Sequence, residues 1–145
     1  MTKTSNLITL HLQDGNEIFI LNKYQIVMFY NSSPNWYNYG HTTIKYIKNN
    51  IINTICVKET ICEVEKLLQP NSVYLRLTTV KSQYCFINQY YINSIAPETI
   101  RKDSVDIFDT TDDEFIKCST IYFNLDIEPI HVKTLTDNIS KTFSN

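Results

Sequence analysis

Ile8, Leu10 and Leu12 alternate with Thr9, His11 and Gln13, and beyond Asp14-Gly15-Asn16 the alternation resumes through Ile18, Phe19, Ile20 and Leu21. A period of two on both sides of an Asp-Gly pair predicts a β-hairpin, with Gly15 supplying the positive φ that its turn requires. Asn22-Lys23-Tyr24 interrupts the run before a third strand over residues 26–30. Residues 42–47 and 51–57 then alternate around a turn at Lys48-Asn49-Asn50. Thr60-x-x-Glu63 has the form of a capping box. Ile61, Val64, Leu67 and Leu68 follow at helical spacing and Pro70 stops the element, so a short helix is expected over residues 60–69.

The second half repeats this plan. Leu75-Arg76-Leu77 and Cys85-Phe86-Ile87-Asn88-Gln89-Tyr90-Tyr91-Ile92 answer Leu10-His11-Leu12 and Phe19-Ile20-Leu21-Asn22-Lys23-Tyr24-Gln25-Ile26. Likewise Ile130-His131-Val132-Lys133 answers Ile55-Cys56-Val57-Lys58. Strands are expected over residues 73–77, 84–87, 92–95, 105–108, 116–125 and 130–132, and Leu135, Ile139 and Phe143 mark a second helix. The fold class that follows is mainly β with two short helices (α+β), in two pseudo-symmetric β-β-β-β-β-α units spanning 1–69 and 70–145 and packed into one body. The second unit carries an acidic insertion at about 96–114. A unit of this size has a marginal core alone, which is the reason to expect the two to pack together.

Charge and composition narrow the functions. Formal net charge is −2, and residues 1–69 hold six basic and five acidic side chains against seven and ten in residues 70–145. That balance is unlike a basic nucleic-acid footprint. A single alanine, two arginines and an excess of Ile, Asn, Lys and Tyr point to an AT-rich genome. The N-terminal residues lead straight into a strand with no signal-peptide or membrane-spanning apolar run, so a cytoplasmic chain is expected, or a virion protein if the source is a phage. Cys56, Cys62, Cys85 and Cys118 show no C-x-x-C spacing and read as small buried hydrophobes with reduced thiols.

Two families are resembled. The run Val57-Lys58-Glu59-Thr60-Ile61-Cys62-Glu63-Val64, preceded by a glycine turn, a strand and Asn22-x-x-x-Ile26, resembles the small bacterial FlbD-type family associated with flagellar function. Both halves carry the pattern, so the chain looks like two FlbD-like units in tandem. It is also similar to a LytTR-type DNA-binding domain: Leu67-Leu68 leads to Tyr74-Leu75-Arg76, then to Ile87-Asn88-Gln89-Tyr90-Tyr91-Ile92, and Val132-Lys133-Thr134-Leu135 stands at that family's closing element. Ser82-Gln83-Tyr84-Cys85 occupies the place of the His-Arg-Ser-Tyr signature, and the closing arginine is missing. On the LytTR resemblance, DNA contact would fall to Lys45, Lys48, Arg76, Lys81, Arg101 and Lys102 gathered on one face.

Chemistry-bearing clusters are few. The carboxylates Asp103, Asp106, Asp109, Asp112, Asp113 and Glu114 lack the glycine-pinned spacing of a calcium loop and read as a solvated face. His11, His41 and His131 share no metal-ligand spacing with one another or with the cysteines. A Cys85 or Cys118 pairing with His131 is arithmetically available, and core cysteines are the simpler reading. Two glycines exclude a glycine-rich phosphate loop, so no metal or cofactor is expected. The segment between Pro34 and Gly40 holds Trp36, Tyr37 and Tyr39, whose rigid contact area suits a protein partner. Ile51-Ile52-Asn53-Thr54-Ile55 reads as an uncharged edge strand open to pairing, and Tyr24, Tyr90 and Tyr91 as packing residues between hairpin and helix. The expected function is a non-enzymatic protein-interaction or assembly module, a virion or appendage component, with protein partners or self-association. A LytTR-type regulator is the alternative.

Overall fold

Where the period of two is clearest, over residues 7–11, the strand buries Ile8 and Leu10 and leaves Leu7, Thr9 and His11 exposed. The computed structural model describes residues 6–32, 41–69, 73–105, 107–108 and 112–134. Strands β1 (Leu7–His11) and β2 (Ile18–Asn22) form a two-stranded sheet. Strands β3 (Ile26–Asn31), β4 (Thr42–Lys48), β5 (Ile51–Val57), β6 (Tyr74–Thr78) and β7 (Tyr84–Asn88) form a five-stranded sheet in the order β5-β4-β3-β7-β6. Strands β8 (Ile92–Arg101), β9 (Phe115–Phe123) and β10 (Ile130–Lys133) form a third, in the order β10-β9-β8. The one α-helix among the described residues, α1 (Ile61–Leu67), carries the full capping box between Thr60 and Glu63.

The chain divides into two compact units. One comprises Met1–Arg76 with Gln83–Tyr90, the other Leu77–Ser82 with Tyr91–Asn145. The division therefore does not follow the 69/70 boundary, since β7 and the start of β6 group with the first half. In the first unit a core forms from Ile8, Leu10, Leu21, Ile26, Phe29 and Ile44 together with Val64 and Leu68 of the helix region. Phe29 and Phe86 lie paired across β3 and β7 with rings stacked, 4.7 Å between centroids and 2° between planes. The β4–β5 turn is made by Asn49 (φ 53°) and Asn50 (φ 62°), both left-handed as a type I′ turn demands.

Local features of the first half recur in the second. Each hairpin ends in an asparagine followed by a 3₁₀ turn. Asn22 Oδ1 accepts from the Tyr24 N–H, and Asn88 Oδ1 accepts from the Tyr90 N–H, both at 3.0 Å. The Lys23 N–H donates to the Asn6 carbonyl and the Gln89 N–H to the Val73 carbonyl. Next comes a β-bulge, between Ile26 and Met28 on β3 and between Ile92 and Ser94 on β8. Finally Leu12 bridges to Val57, and Thr79 to Val132. The halves differ in what they pair with: β7 joins β3, whereas β2 is bonded to β1 alone.

Several expectations are corrected. None of the described residues 105, 107 and 108 is in a strand. Instead β8 continues through Pro97 to Arg101, and a 3₁₀ turn, Lys102–Val105, follows. The Lys102 N–H bonds the Glu114 carbonyl, which sets even-numbered residues of β8 toward β9 and leaves the absent N–H of Pro97 on the open edge, where it costs nothing. Tyr24 and Tyr90, expected as packing residues, are exposed, and the 3₁₀ turns use their backbone N–H. Leu67 is exposed because α1 ends there, while Leu68 turns inward. Cys62 is exposed and Cys56 half-buried, leaving Cys85 and Cys118 as the core cysteines; all four are free thiols. The expected second helix lies outside the described residues.

Asn88 is 1% exposed, and its Nδ2 also donates to the Ile26 carbonyl at 3.0 Å. Asn88→Ala should therefore lower stability by about 2 kcal/mol or more, and Asn22→Ala, half-exposed and making the turn bond alone, by about 1 kcal/mol or less, as read by urea unfolding. Thr60→Ala should cost about 1 kcal/mol through the cap.

Candidate interaction surfaces

β5 is an edge strand, as the uncharged Ile51–Ile55 segment predicts. The turn at Asn49-Asn50 makes Lys48 and Ile51 a hydrogen-bonded pair, so alternation turns the backbone groups of Ile52, Thr54 and Cys56 away from β4. The Cys56 carbonyl accepts from the Gln13 N–H at 3.0 Å. Ile52 and Thr54 remain as the open window, bounded by that bond on one side and the turn on the other, with Ile51 exposed beside it.

The hairpin β1–β2 has a second open surface. Its inner face puts Ile8, Leu10 and Leu21 into the core, while Leu7, Ile18 and Ile20 on its outer face are 56%, 60% and 61% exposed. The Leu12 N–H bonds the Glu17 carbonyl, which fixes the phase: Ile18, Ile20 and Asn22 turn their backbone groups away from β1. On the β1 side the edge is closed at its His11 end. Glu59 accepts from the His11 backbone N–H at 2.8 Å and pairs with His11 Nδ1 at 2.7 Å, and the Lys58 N–H donates to the His11 carbonyl.

A polar row crosses the β8-β9-β10 sheet. Thr120, fully buried, donates its hydroxyl proton to Glu98 Oε2 at 3.0 Å. Having one proton, it can only accept from His131 at 2.9 Å, which places the imidazole proton on Nδ1. Tyr122 donates to the other oxygen of Glu98. These two hydroxyls hold Glu98 below the usual carboxylate range against a desolvation that raises it, and the carboxylate raises Tyr122 in return. The Cys118 thiol lies 3.9 Å from His131 Nδ1, so the structure brings this pair together, with Cys118 only 1% exposed and Nδ1 engaged by Thr120. Cys85 is 2% exposed, and burial pushes its thiol up to about 11.

The segment with Trp36, Tyr37 and Tyr39 lies outside the described residues. Its base is pinned, the Ser32 N–H donating to the His41 carbonyl at 3.1 Å. Of the basic residues, Lys45, Lys48 and Arg76 belong to the first compact unit and Lys81, Arg101 and Lys102 to the second. Arg76 covers the Tyr84 ring at 4.1 Å, Arg101 pairs with Asp103 at 3.3 Å, and Lys102 is buried. The acidic insertion borders an open depression of about 360 Å³ lined by Lys102, Asp103, Phe108 and Glu114 among others. No cluster of three or more metal-ligating side chains occurs among the described residues. No helix among them is long and apolar enough to cross a membrane. No protein-family model, curated protein or solved structure matches the chain.

Burial raises Glu59, but the His11 backbone and imidazole bonds outweigh it and the net shift is downward. A carboxyl depressed in the folded state adds stability above its unfolded pKa, about 4.3, and loses it as pH falls through the folded value. Glu59→Gln should therefore flatten the acid limb of the stability–pH curve below about pH 4.3, measured by urea midpoints at successive pH values.

Proposed function

We propose that the chain is a non-enzymatic protein-interaction or assembly module built from two pseudo-symmetric β-β-β-β-β-α units, working by addition of a partner strand at β5. The observation that carries this reading is the open, uncharged window at Ile52 and Thr54. A partner's main chain satisfies those groups, and the flanking Ile51 supplies apolar contact. The aromatic segment with Trp36, Tyr37 and Tyr39 is the second contact in this reading, emerging between β3 and β4, the latter being the strand next to the edge. A virion or appendage assembly suits such a module.

A proline at an outward-facing position removes an edge donor and no ladder bond. Thr54→Pro should leave the unfolding midpoint within a few degrees while weakening self-association or partner capture by roughly 2 kcal/mol, on the scale of an interfacial hot spot. Unchanged association would count against the β5 reading. Trp36→Ala separates anchor from core cap: binding lost at near-normal stability supports the anchor, and a loss of about 3 kcal/mol in stability with association intact sinks it. Duplex DNA is not the expected partner. Retardation at near-physiological salt that steepens with dilution of salt and weakens in Arg76→Ala would overturn this.

A further inference from the structure

A small cavity within the first compact unit is walled by rings from three adjacent strands. Phe29 of β3, Phe86 of β7 and Tyr74 of β6 line it, together with Glu65 of α1 and the two residues after that helix, Leu68 and Gln69. The rings hold one another in place. Phe29 and Phe86 are stacked and buried, and Tyr74 meets Phe29 at 5.9 Å between centroids and 61° between planes. The Tyr74 hydroxyl is tied at its far end, donating to the Lys23 carbonyl at 2.6 Å. The cavity volume is about 50 Å³. That is room for roughly four water-sized groups, each of which needs about 10–15 Å³. Glu65 is its charged lining group. The residue is half-buried, and its carboxylate forms no ion pair or hydrogen bond among the described residues.

We propose that this cavity binds a methylated ammonium group, the head of a trimethylated lysine side chain or of choline. Three properties of the lining select that chemistry. Aromatic rings attract a cation electrostatically, and mutually inclined rings also pack against its methyl groups. A half-buried carboxylate with no counter-charge calls for a cation, whereas a neutral apolar occupant would strip water from Glu65 and return nothing for it. A bare ammonium is strongly hydrated and loses that water on entering a space lined by three rings and Leu68. Methylation spreads the charge over apolar carbon and removes that cost. Size agrees with charge: a nitrogen carrying three methyl groups occupies about as much room as the roughly four water-sized groups that the cavity holds.

The site is separate from the β5 window and is tested without it. The full chain is titrated with choline, with the acetylated amide of trimethyllysine, and with the neutral alcohol in which carbon replaces the nitrogen of choline, following the methyl proton resonances of each ligand by NMR. Both cations should bind with their methyl resonances moved upfield by the ring currents of Phe29, Phe86 and Tyr74. The neutral alcohol, equal in shape, should bind roughly tenfold more weakly. Glu65→Gln should weaken both cations roughly fivefold, leave the alcohol as it was, and keep the unfolding midpoint unchanged, because the carboxylate has no partner in the folded chain to lose. Tighter binding of the trimethyllysine amide supports the proposal with a modified protein as the source of the group, and tighter binding of choline supports it with a phosphocholine-bearing surface as the source. Equal binding of choline and the alcohol would make the cavity an apolar niche and overturn the proposal. So would cation binding that is indifferent to Glu65→Gln, or no binding of either cation.

Discussion

Antiparallel strands from distant parts of a chain keep one register only where something fixes their phase, and at the β3–β7 junction the buried Asn88 carboxamide does this. Its oxygen holds the 3₁₀ turn that follows β7, and its nitrogen holds the Ile26 carbonyl at the start of β3. Sliding β7 by one residue would break the bond to Ile26 and send Phe86 out of the core, since the side-chain period of a strand is two. The aromatic stack, the order of the five-stranded sheet and the packing of Val64 and Leu68 all presuppose that register.

Ten described strands in three sheets leave several edges, and parts of them are closed by local means. Glu59 and Lys58 occupy the His11 end of β1, Gln13 caps the end of β5, Val80 donates to the His131 carbonyl beside β10, and Pro97 blunts β8. Closure of this kind guards against indiscriminate strand pairing. The stretches at Ile52 and Thr54 and along β2 are short and uncharged.

The polar chemistry is structural in its layout. Thr120 sits between a carboxylate and an imidazole, donating its one proton to Glu98 and accepting from His131, and these bonds tie β8, β9 and β10 to one another. The His11–Glu59 pair serves a similar end, linking the last residue of β1 to the residue before the helix cap.

How much of this was legible beforehand depended on the range of the interaction. The hairpins, the capping box and the Asn49-Asn50 turn are local, set by period-two patterning, φ preferences and side-chain bonds spanning three residues or fewer, so the sequence alone determined them. The recurrence of Asn22 and Asn88 was visible too, but their use was not: the adjacent tyrosines looked like the packing residues, and only the fold showed that their N–H groups are what the asparagines bind. The continuation of β8 through Pro97 was hidden because proline argues against a strand until one knows which way its missing N–H faces. The Cys118–His131 proximity and the Glu98–Thr120–Tyr122 row depend on which strands lie side by side. Pairing partners were decided by tertiary structure for the same reason. A strand's pattern states which face is apolar, whereas its neighbour is selected by long-range packing, here Phe29 on Phe86, between residues far apart in the chain.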